Sequence, residues 1–315
     1  MSVPTQEISL PSPEVNAFST QVHRLRDVWR LVRLNRKVAF GLGILGVFVL
    51  VAIFGPIFLR QDPNSFSPDI LSPPSASHLL GTTQTGQDVF LQLVVGARSS
   101  LILGFVTGLV ATIISVIVGL SGGYFGGWID EVLSLVTNVF LVLPALPLAI
   151  VLASFLPYKG PLTVGFVTVI TGWSWGARVL RSQTLTMRNR EFVEAAKASG
   201  ESSMRIIYFE IFPNLIAIVA AELLGTIIYA ILAETGLEYL GLGDVTSTSW
   251  GTMFYWAGNN DALLLGAWWW FLPVGLCIAL LGAGLAFINF GIDEIANPRL
   301  RKEPKSKIAK LNRKG

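Results

Sequence analysis

Long apolar runs alternate with short polar segments along this chain of 315 residues. A helix needs about 20 apolar residues to cross the hydrocarbon core of a membrane. Six runs reach that length, and they lie near 38–59, 99–122, 131–156, 162–180, 214–240 and 265–290. The pattern therefore predicts an all-α integral membrane protein with six transmembrane helices.

Composition and charge agree with this prediction. Hydrophobic residues make up 52% of the chain and charged residues 14%, whereas soluble proteins have about 25% charged residues. Of the 23 Lys and Arg residues, 20 fall within 1–37, 178–210 and 292–315. Because Lys and Arg in short segments favour the cytoplasmic side, both termini and the segment 178–210 are expected in the cytoplasm. The net charge of +3 follows from this topology, so nucleic-acid binding is not implied.

The most informative polar segment is 191–213, which lies between two predicted spans. Its alanines favour a helix that presents little side-chain bulk to a partner. Gly200 suits the left-handed residue that ends such a helix, Ser202 or Ser203 can cap the next helix, and Pro213 suits the first turn of the segment that follows. We therefore predict a short helix-turn-helix on a membrane face. An ordinary surface helix is the alternative.

This segment resembles the EAA loop in the membrane subunits of bacterial and archaeal ABC importers. In that pattern, Glu-Ala-Ala is followed after three residues by Gly and later by Leu-Pro. The matching residues here are Glu194, Ala195, Ala196, Gly200 and Pro213. The sequence departs from the pattern at Phe212, where Leu is usual, and at Glu210. The resemblance implies that the loop couples to an ATPase through Glu191, Glu194, Ala195, Ala196, Ala198, Gly200 and Pro213.

Three further segments resemble the second permease of dipeptide and oligopeptide importers, in the same order along the chain. The first runs from His78-Leu-Leu-Gly-Thr-Thr through Gly86-Gln-Asp-Val to Gly96-Ala-Arg. In this segment Leu79, Thr83 and Gln87 stand where the usual pattern has Pro, Asp and Arg. The second segment combines three motifs: Leu232-Ala-Glu, Tyr239-Leu-Gly-Leu-Gly and Ser249-Trp-Gly. The third segment is Asn297-Pro-Arg-Leu-Arg. The resemblance extends from about residue 30 to 302.

The resemblance also implies an organisation of the chain. Residues 99–291 would form the five-helix core of a type I ABC importer. A cytoplasmic tail (1–37), an anchor helix (38–59) and an extracytoplasmic loop with an amphipathic segment (60–98) would precede this core. A basic cytoplasmic tail (292–315) would follow it. The implied location is the bacterial or archaeal cytoplasmic membrane.

The sequence contains no Gly-x-x-x-x-Gly-Lys-Ser/Thr phosphate loop, so we expect no ATPase activity, no catalytic residue and no cofactor in this chain. The resemblance implies that two partner ATP-binding cassette subunits use ATP and Mg²⁺. It further implies a second homologous permease, an extracytoplasmic solute-binding protein and surrounding membrane lipid. His23 and His78 are isolated in the sequence and Cys277 is its one cysteine, so no metal site is predicted.

Acidic residues within predicted spans are the remaining candidates. A carboxylate in hydrocarbon costs about 3 kcal/mol or more unless it is paired, protonated or in contact with water. Glu222 lies deep in the fifth span and is a candidate for the translocation path, with a helix–helix hydrogen bond as the alternative. Glu234 falls in the Leu-Ala-Glu motif, where the resemblance implies a structural role. Glu238 stands where the family usually has a small or polar residue, and no role is assigned to it.

The predicted substrates are di- or oligopeptides. Oligosaccharides and nickel chelates are alternatives, because similar permeases carry them and the binding protein does most of the selection. An ion-coupled secondary transporter and an ion channel are alternatives from other classes. Neither of them explains the polar segment 191–213 together with the basic tail.

Overall fold

The computed structural model describes residues 36–59 and 61–296, so the tail up to residue 35 and the motif at 297–301 lie outside it. Within these ranges the regular elements are helices, accompanied by one isolated β-bridge between Thr82 and Asp88. We number the helices α1 Arg36–Phe58, α2 Val89–Phe125, α3 Gly127–Val142, α4 Ala145–Phe155, α5 Pro161–Gly172, α6 Ser174–Arg188, α7 Glu191–Ala198, α8 Ser203–Tyr239, α9 Trp250–Asn259 and α10 Trp268–Ala296.

Four of the described helices, α1, α2, α8 and α10, are long and apolar enough to cross a membrane. The bent pair α3 and α4 makes a fifth span if it is counted as one. The predicted span at 162–180 is divided into α5, with 12 residues, and α6, with 15 residues. The all-α membrane fold is therefore confirmed, whereas the count of six spans is not.

The prediction of one helix over 131–156 is wrong, because the chain turns by 93° between α3 and α4. Pro144 has no N–H, so it cannot donate to the carbonyl of Phe140, and its ring forces the preceding Leu143 out of the helical region. Leu143 is indeed extended, with φ −70° and ψ 129°. The proline thus ends α3, and α4 starts in a new direction.

Helix α2 lies at the centre of the bundle. It joins the predicted amphipathic segment and the predicted span into one helix, and the carboxylate of Asp88 caps its start by accepting the N–H of Leu91 at 3.0 Å. Near its other end, Gly119 and Gly123 allow α6 to pack closely. A Cβ at either glycine would lie 2.8 Å from a backbone carbonyl of α6. Small residues four apart are typical of such helix contacts in membranes.

The two ends of α2 define the two ends of the bundle. The N-terminal end of α2 contacts the loop 61–88 and helix α9, where Trp250 is fully buried and donates its indole N–H to the carbonyl of Leu93 at 3.2 Å. The C-terminal end contacts α7, where the ammonium of Lys197 lies 5.6 Å from the ring centre of Tyr124. We call these the loop end and the α7 end.

Candidate functional site

Helix α7 is a short amphipathic helix at the surface of the α7 end. Of its eight residues, only Val193 is buried, and it packs with Leu180 of α6 and with Ile206, Ile211 and Leu215 of α8. The predicted coupling residues Glu191, Glu194, Ala195 and Ala198 are exposed, and Ala196 is half-buried. Val193 is therefore the main anchor of α7, with Ala196 and Lys197 also in contact with the bundle, and the other five residues are exposed.

Gly200 ends α7 as the sequence predicts. Its φ of 79° lies in the left-handed region, which favours glycine. Its N–H donates to the carbonyl of Lys197 at 3.0 Å, and the N–H of Glu201 donates to the carbonyl of Ala196 at 3.1 Å. Gly200 is exposed, and a Cβ there would meet no atom within 4 Å. Glycine is therefore needed at this position for its backbone conformation and not for close packing.

The chain becomes helical again at Ser203, with Ser202 as its N-cap, and Pro213 lies in the first turn of the α-helical stretch Phe212–Tyr239, as the sequence predicts. The two parts are not separate helices, because a π-helical turn, Ile206–Ile211, joins them, with the N–H of Phe212 donating to the carbonyl of Ile207. A π turn shifts the hydrogen-bond register by one residue, which accommodates the missing N–H of a proline. Pro213 itself is exposed.

An ion pair that sequence reasoning missed ties α6 to α3 near the α7 end. The guanidinium of Arg181 donates to both carboxylate oxygens of Asp130, at 2.5 and 2.6 Å. Arg188 adds a hydrogen bond to the carbonyl of Tyr124 at 3.2 Å. These contacts, together with the close packing of α2 and α6, join the helices around α7 into one mechanical unit.

A cavity of about 730 Å³ opens in the membrane-spanning part of the bundle. It lies at the bend between α3 and α4 and beside the junction of α5 and α6, and α8 and α10 complete its wall. Its lining includes Phe140, Thr171, Trp175, Ala221, Glu222, Thr226, Tyr229 and Asn289. Interrupted helices at membrane depth are tolerated where they are buried in protein or line a water-filled cavity.

Glu222 lies in the wall of this cavity, half-buried. Its carboxylate packs against Gly176 of α6, where any larger residue would overlap it. The hydroxyl of Thr226 lies 3.2 Å from the carboxylate but also donates to the backbone carbonyl of Glu222 at 2.8 Å. Within 36–59 and 61–296, no Lys, Arg or His pairs with Glu222, and none lines the cavity.

Glu234 and Glu238 lie away from this cavity, near the loop end of α8. Both are buried, with 2% of their surface exposed. Glu238 accepts a hydrogen bond from the hydroxyl of Ser249, and its side chain packs where Gly243 and Gly251 leave space. This arrangement joins α8 to the start of α9 and indicates a structural role. The sequence alone could not assign it, because Ser249 is eleven residues away across a turn.

In the loop 61–88, His78 lies between two carboxylates. Its Nδ1 is 2.8 Å from Asp88, which caps α2, and its Nε2 is 3.4 Å from Asp69. The hydrogen bond to Asp88 raises the pKa of His78 above its usual 6.5, against an opposing effect of burial. His78 thus fastens the loop to the start of α2, as expected for a residue at the boundary of the bundle.

A helical bundle that crosses the membrane several times, with a cavity of mixed polar and apolar lining and an exposed helix at one end, has the architecture of a transport subunit. Residues 111–302 match the family described as binding-protein-dependent transport system inner membrane component, and 24–74 match the N-terminal transmembrane domain of oligopeptide transport permease C. The chain therefore belongs to the family of binding-protein-dependent ABC transport permeases.

Its relatives include peptide permeases. The oligopeptide transport system permease protein OppC of Bacillus subtilis (strain 168) is 34% identical over 282 residues, covering 88% of this chain and 90% of the relative. The dipeptide transport system permease protein DppC of the same organism is 34% identical over 285 residues, with 88% and 86% covered. OppC of Lactococcus lactis subsp. cremoris (strain SK11) is 33% identical over 264 residues, covering 81% of this chain and 88% of the relative.

A solved structure supports the same fold. The inward-facing MetNI methionine ABC transporter aligns with a TM-score of 0.53 and 19% sequence identity, over 67% of this chain and 97% of that one. The predicted architecture of a type I ABC importer permease is confirmed by this likeness. The family consists of membrane components, which agrees with the prediction that the ATPase is a different polypeptide.

Proposed function

We propose that this chain is one permease half of an ATP-driven importer for di- or oligopeptides in the cytoplasmic membrane. The observation that carries the proposal is the set of relatives named oligopeptide or dipeptide permeases, which match over more than four-fifths of the chain. Substrate would pass from a binding protein at the loop end to the cytoplasm at the α7 end.

Helix α7 is proposed as the contact for a partner ATPase. Its exposed face carries Glu191, Glu194, Ala195 and Ala198, and small side chains allow a groove on the partner to approach closely. Gly200 and Pro213 bound this surface as the resemblance to an EAA loop implies. Two ATPase subunits, one on this permease and one on a second homologous permease, would use ATP and Mg²⁺.

The contacts around α7 support a mechanism for coupling. Val193 joins α7 to the base of α8, and the Arg181–Asp130 pair joins α6 to α3. When ATP draws the ATPases together, α7 moves with them and these helices follow as a body. The two permease halves then rotate against each other and expose the cavity to alternate sides of the membrane, which is a rigid-body form of alternating access.

The test is to purify the tagged chain together with its co-expressed operon partners and to reconstitute the complex. We expect an ATPase to co-purify, and we expect ATP inside the vesicles or cells to be required for uptake of a labelled dipeptide. Uptake of an oligosaccharide or a nickel chelate, without uptake of peptides, would show that the importer carries that substrate instead. Uptake driven by an ion gradient without ATP would show a secondary transporter and overturn the proposal.

A further inference from the structure

Three hydroxyl groups in the wall of the cavity that contains Glu222, those of Thr171, Thr226 and Tyr229, present acceptors to a ligand. The hydroxyl of Thr171 donates to the carbonyl of Val167 at 3.0 Å, that of Tyr229 donates to Thr171 at 2.8 Å, and that of Thr226 donates to the carbonyl of Glu222. Each of these protons is thus used within the wall. The atoms left for a ligand on these side chains are oxygen lone pairs.

Two further acceptors lack adequate partners. Oδ1 of Asn289 on α10 is buried and accepts no hydrogen bond from any described residue. The carboxylate of Glu222 receives only the long, shared contact from Thr226. A buried acceptor without a donor costs about 1–3 kcal/mol, so Oδ1 of Asn289 favours a water or ligand donor in the cavity. The half-exposed carboxylate of Glu222 is open to a donor in the same cavity.

The charge and the aromatic groups of the wall define that donor more closely. Glu222 is the one ionisable carboxylate among the described lining residues, and no basic residue lines the cavity. Phe140, Trp175 and Tyr229 also line it, and aromatic faces attract cations. A volume of about 730 Å³ lies within the range of small-molecule pockets, about 300–1,000 Å³.

We propose that this cavity is a transient site for the ammonium group of the substrate, with Glu222 as its counter-ion. In a peptide that group is the free amino terminus, which carries a positive charge and three N–H donors. The inference rests on the proposed function and adds that the permease holds the peptide by its amino terminus. Gly176 is a positioning residue, because its missing side chain lets Glu222 lie flat against α6.

The first experiment measures the electrostatics of the cavity and needs no substrate. Cysteine replaces Ala221, which lines the cavity, in a Cys277→Ala background. We expect the cationic trimethylammonium-ethyl methanethiosulfonate to react faster than its anionic sulfonatoethyl counterpart. Glu222→Gln should lower the ratio of the two rates about tenfold, because a charge within several ångströms acts oppositely on the two reagents. A ratio unchanged by Glu222→Gln would overturn the proposal.

The second experiment measures transport of dialanine by the complete reconstituted complex. We expect Glu222→Gln to lower the amount of dialanine moved per ATP hydrolysed about tenfold, while assembly and stimulation of the ATPase by the binding protein persist. Glu222→Asp should retain more transport than Glu222→Gln. Glu131→Gln, which removes an exposed acid on α3 outside the cavity, is the matched control and should leave transport unchanged.

The outcomes separate the two proposals. If the wild-type complex moves dialanine and Glu222→Gln moves it equally well per ATP, the ammonium site is wrong and the proposed function stands. If the wild-type complex moves neither dialanine nor a longer oligoalanine, the proposed function is wrong, and the amino terminus of a peptide is then also wrong as the ligand of this cavity.

Discussion

At the scale of single residues, His78 makes the loop end sensitive to pH. The hydrogen bond with Asp88, and the weaker one with Asp69, raise the pKa of His78 above 6.5. A raised pKa in the folded state means that protonated His78 stabilises the loop. This contribution is complete below the unfolded pKa of about 6.5 and is lost as the pH rises through the higher folded value. The loop 61–88 is therefore held more firmly in acid than in alkaline solution.

This prediction can be measured by NMR on the purified protein with labelled histidine. The chain has two histidines, so a His23→Gln variant assigns the signals. We expect His78 to titrate above 6.5 and its midpoint to fall in Asp88→Asn. Asparagine can still cap α2, so the helix is retained in that variant. An equal midpoint in both proteins would contradict the ion pair.

Single residues also show which parts of the candidate site could be predicted from the sequence. Glu222 could be singled out because a carboxylate in an apolar run is costly, and the structure does place it in a polar cavity. The contact of its carboxylate with Gly176 could not be predicted, since the two residues lie far apart in the chain. The same is true of the Arg181–Asp130 pair, whose members are 51 residues apart. Such contacts depend on which helix faces meet.

At the scale of elements, the end of α7 can be tested by changing Gly200. Valine there must adopt a φ near 79°, which costs a β-branched residue at least about 1–2 kcal/mol and loosens the last turn of α7. We expect Gly200→Val to reduce ATP-dependent uptake at least about fivefold, with normal membrane insertion. Gly200→Asn should retain most uptake, because asparagine tolerates this conformation.

The chain provides a matched control for this variant. Gly266, in the turn before α10, has a φ of 71°, and a Cβ there also meets nothing within 4 Å. Gly266→Val therefore introduces similar backbone strain far from α7 and should leave coupling intact. Equal loss of uptake in both variants would show that general strain, and not the shape of α7, is responsible.

Elements were predicted well where local chemistry decides them and poorly where it does not. Helix α7 and its terminal glycine follow from alanine content and turn preference. The bend at Pro144 was foreseeable as a kink, but its angle of 93° was not. The start of α8 at Ser203 follows from the capping preference of serine. Its unbroken continuation past Pro213 could not be anticipated, because it depends on a π turn that is stabilised by burial of Ile206, Ile207 and Ile211.

At the scale of the whole molecule, the proposed orientation is open to a direct test. In a Cys277→Ala background, cysteine at Ala76 in the exposed loop should react in intact cells with an impermeant thiol reagent. Cysteine at the exposed Asn189, before α7, should react only after the cells are permeabilised. The reverse pattern would place the loop end in the cytoplasm and refute the argument from Lys and Arg distribution.

The family and general fold could be predicted from motifs and hydropathy, because both are local properties of the sequence. The number of spans could not. A run of 20 apolar residues shows that a segment can lie in a membrane, but it does not show whether the segment crosses as one straight helix. The bend at Pro144 divides the predicted span 131–156, and residues around this bend line the cavity.

The π turn at the base of α8 gives this helix the geometry of a lever. The pivot of this lever would be the Ile206–Ile211 segment, against which Val193 of α7 packs. From Ile211 to Glu222 the helix rises about 16 Å at about 1.5 Å per residue. A tilt of about 10° at the pivot would therefore carry the carboxylate about 3 Å sideways, roughly the length of one hydrogen bond. If an ATPase contacts α7 as proposed, a small displacement of α7 would therefore be enough to move Glu222 out of hydrogen-bond distance of an ammonium group.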